Sequence, residues 1–149
     1  MELSEYKNNG RYLSIDIVYT IFSNRTANLS ICNTVDMKTG EIVYLDDIIE
    51  VNDELVSMLL TEGTLKTVFD WMRGLEDVYY LQDVLDYYDP EMIRDNLEKC
   101  SEPYTKECGV HKPTFYIKNE RLYFINLLGI ESESYVEIDS IRDKLKIDL

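Results

Sequence analysis

The chain has 149 residues, of which 29 are acidic and 15 basic, and its formal net charge is −14. This length suits one domain with a substantial core, so we expect residues 1–149 to form a single domain, with a flexible start at residues 1–10. An acidic surface repels phosphate backbones, which argues against nucleic acid as a partner. No apolar run is long enough to span a membrane.

The first third of the chain has the alternating pattern of β-strands. Residues 11–22 and 26–34 predict an antiparallel hairpin, and residues 42–45 a third strand. Asp36 and Gly40 bound a predicted type I turn before that third strand. In the first strand we expect an apolar face to be buried and a mostly polar face to be exposed. The apolar face holds Leu13, Ile15, Ile17, Tyr19 and Ile21, and the other face holds Ser14, Asp16, Val18 and Thr20.

Helical patterns follow between residues 52 and 99. Asn52 is a predicted N-cap for a helix that ends near Gly63, and residues 65–72 have the apolar spacing of a second helix. A third helix is predicted at residues 76–88. Asp89 and Pro90 then suit the start of a fourth, because proline is tolerated at the first helical position.

Strand patterns return at residues 114–117, 121–127 and 134–138, with a hairpin turn at 118–120 and a helical turn capped by Asp139 at the end. The predicted class is α+β, with strands of both ends in one antiparallel sheet and a helical insertion between the N-terminal and C-terminal strand groups.

The three cysteines exclude a full disulfide framework. Cys32 lies in a predicted strand and is expected in the core. Cys100 and Cys108 are the possible disulfide pair in an oxidising compartment and are free thiols in a reducing one. Zinc binding by these two and His111 is the less favoured alternative, because no fourth ligand is evident nearby. We therefore expect no metal and no cofactor.

No catalytic constellation is recognisable, so we expect a protein that is not an enzyme. Asp46 and Asp47 are adjacent carboxylates, but neighbouring residues of an extended chain point in opposite directions and are better suited to a helix start. His111 is the only histidine of the chain and has no recognisable orienting group.

The most suggestive binding feature is the outer face of the predicted third helix. Tyrosines beside carboxylates are a plausible anchor for a basic or sugar-rich partner. The alternative is that the tyrosines pack against other helices and the acids only solvate the surface. The candidate ligand-binding residues are Tyr79, Tyr80, Asp83, Asp86 and Tyr87.

Four segments resemble a known bacterial domain: YLSI at 12–15, DMKTGEIVYLDDI at 36–48, FYIKNERLYF at 115–124 and VEI at 136–138. They are similar to the extracytoplasmic domain at the C-terminus of the lysozyme-sensing anti-sigma factor of Gram-positive bacteria. The same domain accompanies some peptidoglycan deacetylases and many lipoproteins. The central helical region does not contribute to the resemblance.

The resemblance implies an extracytoplasmic, noncatalytic cell-envelope domain that binds a protein or cell-wall ligand, such as the basic protein lysozyme or a cell-wall glycan. No signal segment is visible at residues 1–10, so an exported protein lacking its signal and a cytoplasmic protein are both open. The alternatives to envelope binding are a cytoplasmic acidic interaction or immunity-type protein and a cell-wall hydrolase.

Overall fold

The computed structural model describes residues 2–8, 10–22, 26–60, 66–69, 79–80, 89–103, 112–128 and 132–149. The N-terminal part forms a four-stranded antiparallel sheet in which each strand pairs with the next along the chain. Its strands are β1 (Glu2–Asn8), β2 (Tyr12–Phe22), β3 (Thr26–Asp36) and β4 (Glu41–Val43). The segment expected to be flexible at residues 1–10 therefore contains a strand.

Five further strands form a second antiparallel sheet in the order β6-β5-β9-β8-β7. They are β5 (Lys66–Phe69), β6 (Tyr79–Tyr80), β7 (Thr114–Lys118), β8 (Arg121–Ile125) and β9 (Ser132–Glu137). The expectation of one shared sheet is therefore wrong, because the strands of the two ends belong to separate sheets.

Short helices complete the described part of the chain: α1 (Leu45–Ile48), α2 (Asp53–Leu59), α3 (Pro90–Lys99), α4 (Ile138–Ile141) and the 3-10 turn Arg142–Lys144. Of the helices described, none has the length and apolar character needed to cross a membrane. The α+β class with antiparallel pairing is confirmed.

The main core lies where these helices cover one side of the five-stranded sheet. Helices α1, α2 and α3 contribute apolar side chains that are completely or almost completely buried, and β7, β8 and β9 contribute the opposing side. The fully buried members of this core include Leu45, Ile48, Leu59, Ile93, Leu97, Leu127, Val136 and Ile141.

Two predicted helix caps and one predicted turn are confirmed. The side chain of Asn52 accepts a hydrogen bond from the amide of Leu55 at 2.9 Å and starts α2, and Asp89 accepts from the amide of Glu91 and starts α3. The turn after β3 closes at Gly40, which has a φ of 78°. Near the C-terminus the cap is wrong, because α4 begins at Ile138 and Asp139 instead binds Arg142 at 2.7 Å.

Two of the predicted helices are wrong where the structure describes them. Residues 66–69, within the predicted helix 65–72, form β5, which pairs with β9. Tyr79 and Tyr80, within the predicted helix 76–88, form β6, which pairs with β5. The physical reason is that tertiary pairing overrides a weak local preference, and Thr67, Val68 and Phe69 are residue types that favour strands.

The predicted buried face of β2 is also wrong. Ser14 is completely buried and Tyr12 nearly so, whereas Leu13, Ile15 and Ile17 are only partly buried. Since the side-chain period of a strand is two, Tyr12 and Ser14 belong to the same face, and at this end of β2 that face is the buried one.

The buried polar face lies against an edge strand, β7, and this contact explains its composition. The Ser14 hydroxyl accepts a hydrogen bond from the amide of Ile117 at 3.1 Å and is 2.8 Å from the hydroxyl of Thr34 on the neighbouring strand. On β3, the amide of Cys32 donates to the Thr114 hydroxyl at 3.2 Å. Hydroxyls rather than methyl groups are needed here because an edge strand directs backbone polar groups outward.

The two cysteines described by the structure are buried free thiols. Cys32 lies in the core as expected. The Cys100 thiol donates to the Asn96 carbonyl at 3.4 Å. Cys108 lies outside the described residues, so its possible pairing with Cys100 stays a prediction. Burial raises the pKa of Cys100 to about 12 and that of Cys32 well above its usual range.

We expect Ser14→Ala to lower the free energy of unfolding by about 2 kcal/mol, because a buried amide loses its acceptor and the Thr34 hydroxyl loses a partner. Chemical denaturation measures the change. The control is Ser140→Ala at an exposed serine of α4, which should change stability by less than about 0.5 kcal/mol. If Ser14→Ala also changed stability by less than about 0.5 kcal/mol, the contact between Ser14 and β7 would not be a stabilising one.

The hairpin between β7 and β8 offers a stabilising substitution. Its two turn residues, Asn119 and Glu120, have φ values of 50° and 59°, as a type I′ turn requires. Glycine adopts this conformation without steric cost, so Glu120→Gly should raise the free energy of unfolding by about 1 kcal/mol. Glu120→Ala is the control, since it removes the same charge but keeps the Cβ. An equal gain in both variants would assign the effect to charge.

A Cys108→Ser variant should react very slowly with a thiol reagent while folded, because both of the remaining thiols are buried. At pH 8 a pKa of about 12 in place of 9.0 lowers the thiolate fraction of Cys100 roughly a thousandfold. Unfolding in denaturant should restore the reaction. Fast labelling of the folded variant would contradict the buried position of these thiols.

Candidate functional site

The two predicted ligand-binding residues that the structure describes lie in a strand and not in a helix. Tyr79 and Tyr80 are neighbours in β6, and successive positions of a strand belong to opposite faces of a sheet. Asp83, Asp86 and Tyr87 lie outside the described residues. The predicted helix 76–88 is therefore wrong at Tyr79 and Tyr80, because these residues form a strand that pairs with β5.

A row of tyrosines crosses the five-stranded sheet instead. By register, Tyr116 of β7 lies opposite Tyr123 of β8, which lies opposite Tyr135 of β9. The same row of register positions continues through Lys66 of β5 to Tyr80 of β6. One of the tyrosines chosen from the sequence thus belongs to this row, although in a strand.

The described rings of the row pack against one another. Tyr116 and Tyr123 are stacked, with ring centroids 4.6 Å apart and planes 5° apart, and Tyr123 and Tyr135 have centroids 5.3 Å apart. The guanidinium of Arg121 lies 4.7 Å from the centroid of Tyr135. Neighbouring side chains occupy the faces of these rings. The tyrosines therefore stabilise the sheet by packing and offer little free aromatic surface to a ligand.

The charges around the row are largely paired as well. Arg121 binds Glu137 at 2.7 Å, and its pKa is raised first by a hydrogen bond with Tyr123 and further by Glu137. The hydroxyl of Tyr116 donates to the carboxylate of Glu133. Burial raises the pKa of Tyr116, and the neighbouring Glu133 raises it further. This side of the molecule therefore offers few unpaired groups for a charged partner.

Negative charge concentrates on the helices. Segments 45–60 and 89–103 carry ten carboxylate side chains against two basic ones, a net charge of −8. All ten are exposed. They are Asp46, Asp47, Glu50, Asp53, Glu54, Asp89, Glu91, Asp95, Glu98 and Glu102, and we call them the acidic helix face. By contrast, the described residues of the five-stranded sheet and its connections, 66–69, 79–80, 112–128 and 132–137, have a net charge of +1.

Contacts between the two segments show that they adjoin each other. Arg94 of α3 binds both Glu98 on its own helix and Asp53 at the start of α2. The hydroxyl of Ser101, just after α3, accepts a hydrogen bond from the amide of Asp46 at 3.0 Å. The start of α1 therefore lies beside the end of α3, and the start of α2 lies beside Arg94 of α3.

Several carboxylates of this face hold the backbone in place. Asp47 accepts a hydrogen bond from the amide of Tyr44 at 2.8 Å, and Asp46 accepts from the amide of Val51 at 3.3 Å. The expectation that this adjacent pair serves a helix start is confirmed, since both lie in the first turn of α1.

A metal site is not indicated by the residues that the structure describes, which contain no cluster of three or more potential ligands. The zinc alternative is not tested by this finding, because Cys108 and His111 lie outside those residues.

Sequence reasoning predicted an acidic surface from the net charge but missed the tyrosine row. The signal for its first pair was present, because a two-residue turn at 119–120 places Tyr116 opposite Tyr123. The place of Tyr135 depends on how β9 pairs, which no local pattern specifies. No protein-family model matches the chain, and no curated protein matches it significantly.

Proposed function

We propose that this protein is a noncatalytic, extracytoplasmic binding domain of the bacterial cell envelope, and that its acidic helix face binds a basic protein such as lysozyme. The observation that carries the proposal is the concentration of ten exposed carboxylates on two adjoining segments whose own net charge is −8. Lys144 pairs with Glu54 and Lys146 donates to the carbonyl of Asp46, so a clear excess of negative charge remains. The location and the kind of partner rest on the resemblance of the four sequence segments.

Charge complementarity explains what such a face would contribute to binding. Carboxylates within a Debye length of a basic surface attract it over distances of about 8 to 10 Å at physiological salt. This attraction raises the association rate and orients the partner before contact. The nearly neutral five-stranded sheet does not compete for the same partner, so the encounter has a preferred side.

Some carboxylates of the face are better suited to binding than others. Within the described part of the chain, Glu50, Glu91 and Asp95 have no ion pair and their side chains hold no backbone amide. Glu91 and Asp95 also lie four residues apart on α3, where like charges repel and cost the helix a few tenths of a kcal/mol. Glu91 lies in the first turn of α3, where the helix dipole stabilises a carboxylate and partly offsets this repulsion. Both side chains are exposed and therefore accessible to a basic partner.

The test is a pair of double variants with equal changes in net charge. Glu91→Gln/Asp95→Asn removes two charges from the acidic helix face, and Glu41→Gln/Glu120→Gln removes two exposed charges elsewhere. Binding of lysozyme is measured by calorimetry at low ionic strength and again at high salt. We expect the helix variant to weaken binding about five- to tenfold, the control to change it less than twofold, and salt to weaken binding throughout.

Three results would count against the proposal. Absence of lysozyme binding at low ionic strength would exclude lysozyme as the partner. An equal loss in both variants assigns binding to net charge and not to this face. Binding that is insensitive to salt excludes the electrostatic mechanism.

A further inference from the structure

A pocket of about 160 Å³ lies at the joint between the two sheets. Its walls come from β3, the end of β4, the chain after α3 and the start of β7. Four buried apolar or weakly polar side chains, Cys32, Val43, Cys100 and Phe115, form much of the wall. The pocket is separate from the carboxylates used in the proposed function, except that Glu102 contributes to its rim.

Lys112 is the unusual member of this wall, because it is a lysine that is only 7% exposed. Its ammonium donates to the carbonyl of Lys99 in the last turn of α3. That bond explains part of its position, since cations are favoured at the C-terminal end of a helix. An ammonium has three donors, however, and one carbonyl neither satisfies all three nor neutralises the charge.

Burial makes the missing counter-charge costly. An ionised group removed from water loses several kcal/mol of solvation unless it is paired. Among the residues that the structure describes, no carboxylate forms an ion pair with Lys112. Glu102 also lines the pocket, but its side chain is exposed and is not bonded to Lys112.

We infer that this pocket binds a small monocarboxylate, whose carboxylate group accepts hydrogen bonds from the Lys112 ammonium and whose short alkyl chain lies against Val43 and Phe115. A single cation suits one negative charge, and the apolar wall disfavours a strongly hydrated dianion. The volume of about 160 Å³ is below the roughly 300–1,000 Å³ of sites for larger ligands, so only a few heavy atoms fit.

The probe is propionate, titrated against the whole chain at physiological ionic strength by calorimetry and saturation-transfer NMR. Propionamide is the neutral control of the same shape. On the unmodified protein we expect saturable propionate binding that is at least tenfold tighter than propionamide binding, because only the carboxylate compensates the buried charge.

Variants then assign the site. Lys112→Met keeps the length of the side chain without its charge and should abolish propionate binding. Lys38→Met, at an exposed lysine of the turn after β3, makes the same charge change and should leave binding within twofold. Glu102→Gln should tighten propionate binding two- to fivefold, because it removes from the rim a negative charge that repels the propionate carboxylate. Circular dichroism checks the fold of each variant.

The inference is overturned if propionate shows no saturable binding, if propionamide binds as tightly, or if Lys112→Met binds propionate normally. The comparison of propionate with propionamide needs no substitution, so it decides the question even if Lys112→Met does not fold. Lysozyme binding by the acidic helix face is a separate measurement from propionate binding, and only Glu102→Gln changes a residue that belongs to both the face and the pocket rim.

Discussion

The hydrogen bond between the Ser14 hydroxyl and the amide of Ile117 connects the two sheets. It determines which face of β2 is buried and how the edge of β7 is covered. An edge strand has outward-facing backbone groups that must be covered or hydrogen-bonded. The N-terminal sheet meets this need with its hydroxyl-bearing face, where Ser14 and Thr34 are buried together. This is why the more apolar face of β2 is only partly buried, and why β7 does not present a free edge at this position.

The same joint produces the pocket around Lys112. Strand β4 pairs only with residues 34–36 of β3, and beyond that point the Thr114 hydroxyl accepts the hydrogen bond of the Cys32 amide. The gap between the end of β4, the end of α3 and the start of β7 holds the pocket of about 160 Å³. It is bordered by buried thiols and one buried ammonium, so its chemistry differs from that of the acidic exterior.

Charge is separated between the two sides of the five-stranded sheet. The helices that cover one side carry exposed carboxylates in excess, whereas the other side pairs its charges within a row of tyrosines. Aromatic rings that stack on each other and on Arg121 have little free surface left for a ligand. The proposed binding face therefore belongs to the helices, where few carboxylates are neutralised.

Local patterns were sufficient for features that depend on neighbours in sequence: the caps at Asn52 and Asp89, the turn at Gly40 and the hairpin turn within 118–120. Local patterns did not predict the features that depend on pairing between segments far apart in the chain. Residues 66–69 became a strand because β9 lay beside them, and Ser14 became buried because an edge strand needed its hydroxyl. Periodicity reports which faces of a segment differ, but the partner across the interface decides which face is buried. The burial of Lys112 could not be predicted for the same reason, since it arises only when the segments around it pack together.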